Sequence, residues 1–245
     1  MFSLTPLEAF THGDDFRALS VRDSERILNP FLGVDHAWMG GPTFPPHRHA
    51  GMCAVSYLFA DSETGVLNRD SIGTRNLIRP GGMHWMTAGS GIVHEEVPAE
   101  SGKTVHSLQI FVDLSDENKS LDPFALIVEP EDVPVVQRGG ATIRIPVGNF
   151  DGVRSPVTPP TPVTILDLSL AAGAEIRIPL LTAATGQTLF VLVISGAIAC
   201  LGRRFDADGP AIPVVRGPRK EEGVTVAAAD GPAQAVVFIG AQLHS

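Results

Sequence analysis

The sequence has few cysteines and no long hydrophobic run. Cys53 and Cys200 are its only cysteines, and neither belongs to a Cys-x-x-Cys pair. This argues against a disulfide framework or a thiolate zinc site and favours a reducing compartment. No stretch of about 18 apolar residues occurs, and the N-terminus MFSLTPLEAFTHGDDF lacks the basic and apolar segments of a signal peptide. We therefore expect a cytoplasmic protein without a membrane span.

Positive charge is also scarce. Lys and Arg number 18 against 27 Asp and Glu, which gives a net charge of -9 and a pI near 5.3. No basic run forms a stripe that could follow a phosphate backbone, so direct nucleic-acid binding is not expected. The motifs G-x-x-x-x-G-K-[ST] and G-x-S-x-G are both missing. Their absence argues against phosphate-loop enzymes and serine hydrolases.

Glycine (25) and proline (20) are frequent, and they separate short runs of strand-forming residues. Such runs include MCAVSYLF, RNLIRPGG and VHSLQIFVDL in the first half, and VTILDLSL, QTLFVLVISGAIACLG and AQAVVFIGAQL in the second. Short strands between closely spaced turn signals are typical of a β-sandwich or β-barrel. Because the pattern recurs once, we predict an all-β chain of two modules, residues 1–125 and 126–245, with the boundary near Leu126.

Two pairs of side chains have the spacing of metal ligands on strands. His47 and His49 are separated by one residue, and so are His94 and Glu96. In an extended strand residues i and i+2 share a face, so each pair can direct both members into one cavity, whereas Glu95 faces away. Three imidazoles and one carboxylate suit Fe, Mn, Ni, Co, Cu or Zn better than Ca or Mg. The spacing therefore predicts a site for a divalent transition metal ion.

The other histidines and the first cysteine are weaker candidates. Only His244 lies in the second half, so a second site of the same kind is not expected there. His84 follows the turn Pro-Gly-Gly and is a minor alternative ligand, while His106 either lines the cavity or ends a strand. If the first strand continues unbroken past Gly51, Cys53 shares the face of the histidine pair, although burial as a small apolar residue is the favoured interpretation.

These residues also carry a family resemblance. The run HRHAGMCAVSYL, residues 47–58, is similar to the pirin signature His-Pro-His-Arg-Gly-Phe-Glu-Thr-Val-Ser/Thr-Tyr-Leu, and RDSIGTRNLIRPGG and WMTAGSGIVHEEVP resemble the next blocks of that family. The resemblance extends from about Asn29 to Leu114 and continues more weakly in the second half. Arg48, Ala50 and Cys53 depart from the signature.

Membership of the pirin family, within the cupin superfamily, implies a bicupin fold. Such a fold has two tandem antiparallel β-barrels of the jelly-roll type, with one metal ion, most often iron, in the first barrel. By motif position the family's ligands fall on His47, His49, His94 and Glu96. The resemblance thus implies the same four residues that the strand alternation selects.

The resemblance also implies two alternative functions. The first is a quercetin 2,3-dioxygenase-like reaction of dioxygen with a flavonol or another enol or catechol-type aromatic molecule, with Glu96 as catalytic general base. The second is a metal-binding redox-sensing or regulatory protein that acts through a protein partner. An acidic chain could then contact a basic partner without touching nucleic acid.

Overall fold

The structure is a computed structural model that describes residues 2–22, 26–180, 186–217 and 223–243. These residues form 24 strands and no helix, so the predicted all-β class is confirmed. No helix that could cross a membrane occurs in the described part of the chain.

The strands of the first half are short and separated by turns. In chain order they are β1 (Phe2–Pro6), β2 (Glu8–His12), β3 (Phe16–Arg22), β4 (Phe31–Met39), β5 (His47–His49), β6 (Met52–Leu58), β7 (Val66–Asp70), β8 (Arg75–Ile78), β9 (Met83–Thr87), β10 (Ile92–Pro98), β11 (Val105–Asp113) and β12 (Phe124–Val128).

The second half has the same character. Its strands are β13 (Val135–Arg138), β14 (Ala141–Val147), β15 (Asn149–Phe150), β16 (Val153–Arg154), β17 (Val163–Leu170), β18 (Glu175–Pro179), β19 (Gln187–Ser195), β20 (Ala197–Cys200), β21 (Arg203–Asp206), β22 (Ala211–Arg216), β23 (Gly223–Ala228) and β24 (Ala233–Ala241).

Each half contributes one large and one small antiparallel sheet. The large first sheet has the order β12-β9-β6-β11-β4-β3-β2, and the small first sheet has the order β5-β10-β7-β8. The large second sheet has the order β1-β22-β19-β24-β17-β14-β13, and the small second sheet has the order β18-β23-β20-β21. Strands β15 and β16 form a separate ribbon.

The fold has the two tandem β modules that were predicted, but their sheets do not close. In each module a large sheet faces a small one, and edge strands such as β2 and β12 pair on one side only among the described residues. Each module is therefore a jelly-roll sandwich of two sheets rather than a single sheet closed into a barrel.

The two halves of the chain exchange strands. Strand β1 pairs with β22 of the second half, with Phe2 opposite Val215 and Pro6 opposite Ala211. Strand β12 pairs with β9 of the first half and extends past the predicted boundary. The strand pairing alone does not test the division into residues 1–125 and 126–245, which stays a prediction.

The two large sheets pack on each other and form the central core. Phe31 of β4 contacts Phe190 of β19 and Phe238 of β24 at ring-centroid distances of 5.2 and 5.6 Å, and Phe190 stacks on Phe238 at 4.6 Å. All three side chains are fully buried. Aromatic pairs of this kind add packing energy beyond the area that they bury, so the two modules share one hydrophobic core.

A buried hydrogen-bond network crosses this interface. The Tyr57 hydroxyl donates to Oδ2 of Asp167 over 2.8 Å, and the Gln234 amide donates to Oδ1 over 2.8 Å. Burial raises the pKa of Asp167, and the hydrogen bonds from Gln234 and Tyr57 oppose this rise. The network satisfies a polar group that the packing of two sheets would otherwise leave without partners.

We expect the Tyr57→Phe substitution to lower the free energy of unfolding by about 1–3 kcal/mol, because the buried Asp167 carboxylate loses one of its two side-chain donors. The substitution keeps the aromatic ring and so leaves the packing of β6 in place. Denaturant unfolding of both proteins measures the difference. A change below about 0.5 kcal/mol would contradict a structural role for this hydroxyl.

Candidate metal centre

The first predicted pair lies on the short strand β5, which pairs with β10 of the small first sheet. In this register His94 is opposite His47 and Ile92 is opposite His49. Arg48 points to the other side of β5, where its guanidinium donates to the carbonyl of Ser90 over 2.9 Å. This contact links the three-residue strand to the turn that precedes β10.

Three histidines come together on this sheet. His47, His49 and His94 each offer a ring nitrogen, and these nitrogens lie within 4.8 Å of one another. The Nδ1 atom of His47 lies 3.0 Å from the carbonyl oxygen of Pro45, which leaves its Nε2 atom for an ion. His94 is 4% exposed, whereas His47 is exposed to solvent. We call this group the histidine triad.

The triad lies on one side of a cavity of about 370 Å³ between the two first-half sheets. The cavity wall is mostly apolar and includes Phe10, Phe16, Met39, Phe44, Leu58, Val66 and Phe111. Three of these phenylalanines contact one another in series, with Phe16 in edge contact with Phe10 at 6.1 Å and with Phe44 at 5.1 Å. A cavity of this size and polarity is typical of a small-molecule site.

Glu96 lines the same cavity, but its carboxylate lies against Ser56. The Ser56 hydroxyl is 2.7 Å from Oε2 and 2.9 Å from Oε1 of Glu96. Glu96 is not part of the group of mutually close ligand atoms formed by the triad. Glu95 faces the opposite side of β10, where it forms an ion pair with Arg69. The two adjacent carboxylates therefore have different surroundings.

Burial sets the protonation of the site. Desolvation, followed by the charge of His47, lowers the pKa of His49 to about 4. Desolvation, followed by the charges of His47 and His49, lowers the pKa of His94 to about 3. Both rings are therefore neutral at pH 7, the form that binds a metal ion. Desolvation raises the pKa of Glu96 to about 7, against the opposing hydrogen bond from Ser56.

Cys53 does not share the cavity with the histidines. The chain turns at Gly51, which has φ of 71°, and crosses from the small first sheet to the large one. The strand is therefore interrupted at Gly51, and Cys53 does not lie on the face of the histidine pair. In β6 Ser56 and Leu58 line the cavity, whereas Cys53 lies in the central core, fully buried. Burial raises the pKa of its thiol to about 11, so it is the small apolar residue that was favoured.

The two minor histidine candidates lie outside the triad. His84 is 1% exposed between the first-half sheets, and neither of its ring nitrogens has a hydrogen-bond partner among the described residues. His106 faces away from the cavity; its Nε2 lies 2.8 Å from Nε2 of His36 and its Nδ1 lies 2.8 Å from Asp61. His106 therefore belongs to a polar contact on the other face of the large first sheet.

Several cavity residues were not anticipated from the sequence. Ser56 is a small polar residue within the apolar run AVSYLF, and that interruption is a signal that could have identified it. Phe10 and Phe16 come from the hairpin of β2 and β3, which is remote in sequence from the histidines. Cavity residues that are so remote in sequence from the histidines can be identified only when the strand order is known.

Comparison with known proteins places these features in a family. Residues 4–112 match the family model described as Pirin. A Pseudomonas aeruginosa protein with the provisional name quercetin 2,3-dioxygenase is 31% identical over 239 residues, which cover 90% of this chain and 78% of that protein. The chain spans about half the length of the plant and mammalian pirin relatives that it matches.

Two solved structures resemble the whole chain. GK1651 from Geobacillus kaustophilus superimposes with a TM-score of 0.87 at 28% identity and covers 99% of this chain and 96% of its own. The bacterial pirin YhhW from Escherichia coli, solved in complex with nickel(II), has a TM-score of 0.74 at 16% identity, covering 99% and 100%. At that identity the second comparison supports the two-module β fold alone.

The raised pKa of Glu96 predicts a pH dependence of stability in metal-free protein. The unfolded carboxyl ionises near 4.5, whereas the folded one keeps its proton to about pH 7. Unfolding then releases a proton, so this group destabilises the fold as the pH rises from 4.5 through 7. Glu96→Gln cannot ionise at this position. We therefore expect its free energy of unfolding, relative to that of the wild type, to rise by about 1–2 kcal/mol between pH 5 and pH 8.

Denaturant unfolding in EDTA at the two pH values measures this gain. Glu95→Gln is the matched control, because Glu95 lies on the outer face of the same strand. Parallel pH profiles for the wild type and Glu96→Gln would show that the carboxyl is not destabilised by burial.

Proposed function

The chain belongs to the pirin family, and on that premise we propose that it is a metal-dependent dioxygenase of the quercetin 2,3-dioxygenase type. Its substrate would be a flavonol-like or other enol or catechol-type aromatic molecule. The observation that carries the proposal is that the histidine triad and Glu96 line a single apolar cavity. The metal ligands, the general base and the space for the substrate would then lie next to one another.

The triad fits a transition metal ion. Three imidazoles with mutually close nitrogens form a donor set for Fe, Mn, Co, Ni, Cu or Zn, and iron is our first choice. Because a metal ion would bind the neutral form of an imidazole, the low pKa values of His49 and His94 favour binding at pH 7.

The protein's own residues would position the substrate and move one proton. When bound, the ion supplies a Lewis-acidic position for a substrate oxygen and a centre for dioxygen chemistry. The apolar wall, including Phe44 and Phe111, would hold the aromatic rings and exclude water. Glu96, with its pKa of about 7, would accept the proton of the substrate hydroxyl onto a carboxylate oxygen. We propose the cytoplasm as the place of action, consistent with a sequence whose two cysteines lie far apart and form no Cys-x-x-Cys pair.

We expect the wild-type protein to bind a single equivalent of Fe(II), Co(II) or Ni(II), and the double substitution His47→Ala/His49→Ala to abolish this binding. Two of the three ring nitrogens of the triad are then lost. Elemental analysis after desalting measures the metal content. Glu95→Gln, outside the cavity, serves as control and should bind like the wild type. Full occupancy in the double variant would place the ion elsewhere.

We expect the Fe(II)-loaded protein to consume quercetin in air and release CO, and the Glu96→Gln substitution to lower kcat by about 10²–10⁴-fold through loss of the general base. Loss of quercetin absorbance and CO detection measure the reaction. Metal content of the same samples separates loss of chemistry from loss of the ion.

A fully loaded wild-type protein that turns over no flavonol, enol or catechol would refute the dioxygenase assignment. Capture of a protein partner that depends on the redox state of the metal would then favour the regulatory alternative. Equal capture by the His47→Ala/His49→Ala variant would count against that alternative, because this variant lacks the metal site.

A further inference from the structure

A row of polar side chains crosses the large first sheet beneath the apolar cavity. Ser56 of β6 is opposite Gln109 of β11, and Gln109 is opposite Asp35 of β4. Asp35 is in turn opposite Ser20 of β3. Because neighbouring strands are about 4.8 Å apart, Asp35 lies roughly 10 Å from Ser56 across the sheet. The row therefore begins at Ser56, which contacts Glu96, and reaches Asp35 two strands away.

Asp35 is the acidic residue of this row. It is 8% exposed and lines the cavity. Its Oδ1 atom accepts a hydrogen bond from the Ser20 hydroxyl over 2.6 Å and forms an ion pair with Nη1 of Arg22. Its Oδ2 atom accepts no hydrogen bond within the described part of the chain. Since buried polar atoms are normally hydrogen-bonded, Oδ2 is an acceptor available to a molecule in the cavity.

Arg22 helps to fix the orientation of this carboxylate. Its side chain lies across Gly33 of β4, where an added Cβ atom would be only 3.1 Å from Cδ and Nη1 of Arg22. Its guanidinium also lies 5.9 Å from the ring centroid of Phe111. Ser20 and Arg22 both contact Oδ1 of Asp35, so the second oxygen stays free for a ligand.

The charges at this position indicate which chemical group it binds. An ionised carboxylate accepts hydrogen bonds and donates none, so Oδ2 requires a ligand group that donates. A carboxylate or phosphate on the ligand would be repelled by Asp35 and would have to displace it from Arg22. A phenolic hydroxyl carries no charge and donates one hydrogen bond. The position therefore suits a hydroxylated aromatic ring.

We propose that Asp35 is a specificity-determining residue, which accepts a hydrogen bond from a hydroxyl group on the distal ring of the substrate. Ser20 and Arg22 act as its positioning residues. The substrate is then an aromatic molecule of two or more rings, with one oxygen near the histidine triad and a donating hydroxyl roughly 10 Å away. This inference rests on the proposed function and deepens it, because it names the second group that the cavity recognises.

The first test varies the ligand and leaves the protein unchanged. Kaempferol, kaempferide and galangin are flavonols whose pendant phenyl ring carries a para hydroxyl, a para methoxyl or only hydrogen. We expect the Co(II)-loaded wild-type protein, kept free of oxygen, to bind kaempferol about 10–100-fold more tightly than the other two. Of the three, only kaempferol can donate a hydrogen bond from that ring. Titrations that follow the flavonol absorbance measure the dissociation constants without turnover.

The second test varies the protein. We expect Asp35→Ala to bind all three flavonols with the affinity that the wild type has for galangin. Asp35→Asn keeps the shape of the side chain and should also reduce the preference, since hydrogen bonds to a charged acceptor are stronger than those to an amide. Glu95→Gln is the matched control, because Glu95 pairs with Arg69 outside the cavity, and it should keep the preference. Thermal unfolding confirms that each variant is folded.

Equal binding of kaempferol and galangin by the wild type would overturn the inference. A preference for kaempferol that persists in Asp35→Ala would also overturn it, since another group would then accept the hydroxyl. Preferential binding of kaempferol without turnover in air would refute the dioxygenase assignment and support the inference. A metal-loaded protein that binds none of the three flavonols would overturn both.

Discussion

The two-sided burial of strand β6 is the constraint on which the rest of the structure depends. Its odd-numbered side chains, including Val55 and Tyr57, pack against the second module in the central core. Its even-numbered side chains face the small first sheet, where Ser56 and Leu58 line the cavity. Any shift of the register by one residue would exchange these two sets. The same strand therefore joins the modules and shapes the candidate site.

Alternation along strands was sufficient to select most of the site. The spacing of His47, His49 and His94 depends only on which residues share a face within a strand, and the structure gathers these three side chains. Alternation also separates Glu96, in the cavity, from Glu95 on the outer face. Local rules work here because each pair belongs to a single uninterrupted strand.

Alternation does not predict features that arise where the chain passes from one sheet to another, or where a strand pairs with one that is remote in sequence. The left-handed backbone at Gly51 breaks the parity between β5 and Cys53. The pairing of β1 with β22 joins residues about 210 positions apart, and no local pattern specifies such a partner. The all-β class was readable from turn spacing, whereas the open sheets of each sandwich follow from strand order. The contact of Ser56 with Glu96 likewise joins two facing sheets.

The exchange of β1 has a consequence for the independence of the two halves. A cut after residue 125 would pass through β12 itself and would leave β1 on the first piece and its partner β22 on the second. The second piece would then present a bare sheet edge, which is a site for aggregation or for capture of another chain's strand. Although the halves resemble two similar modules, neither carries all the strands of its own sheets. The two halves share a strand pairing and a hydrophobic core.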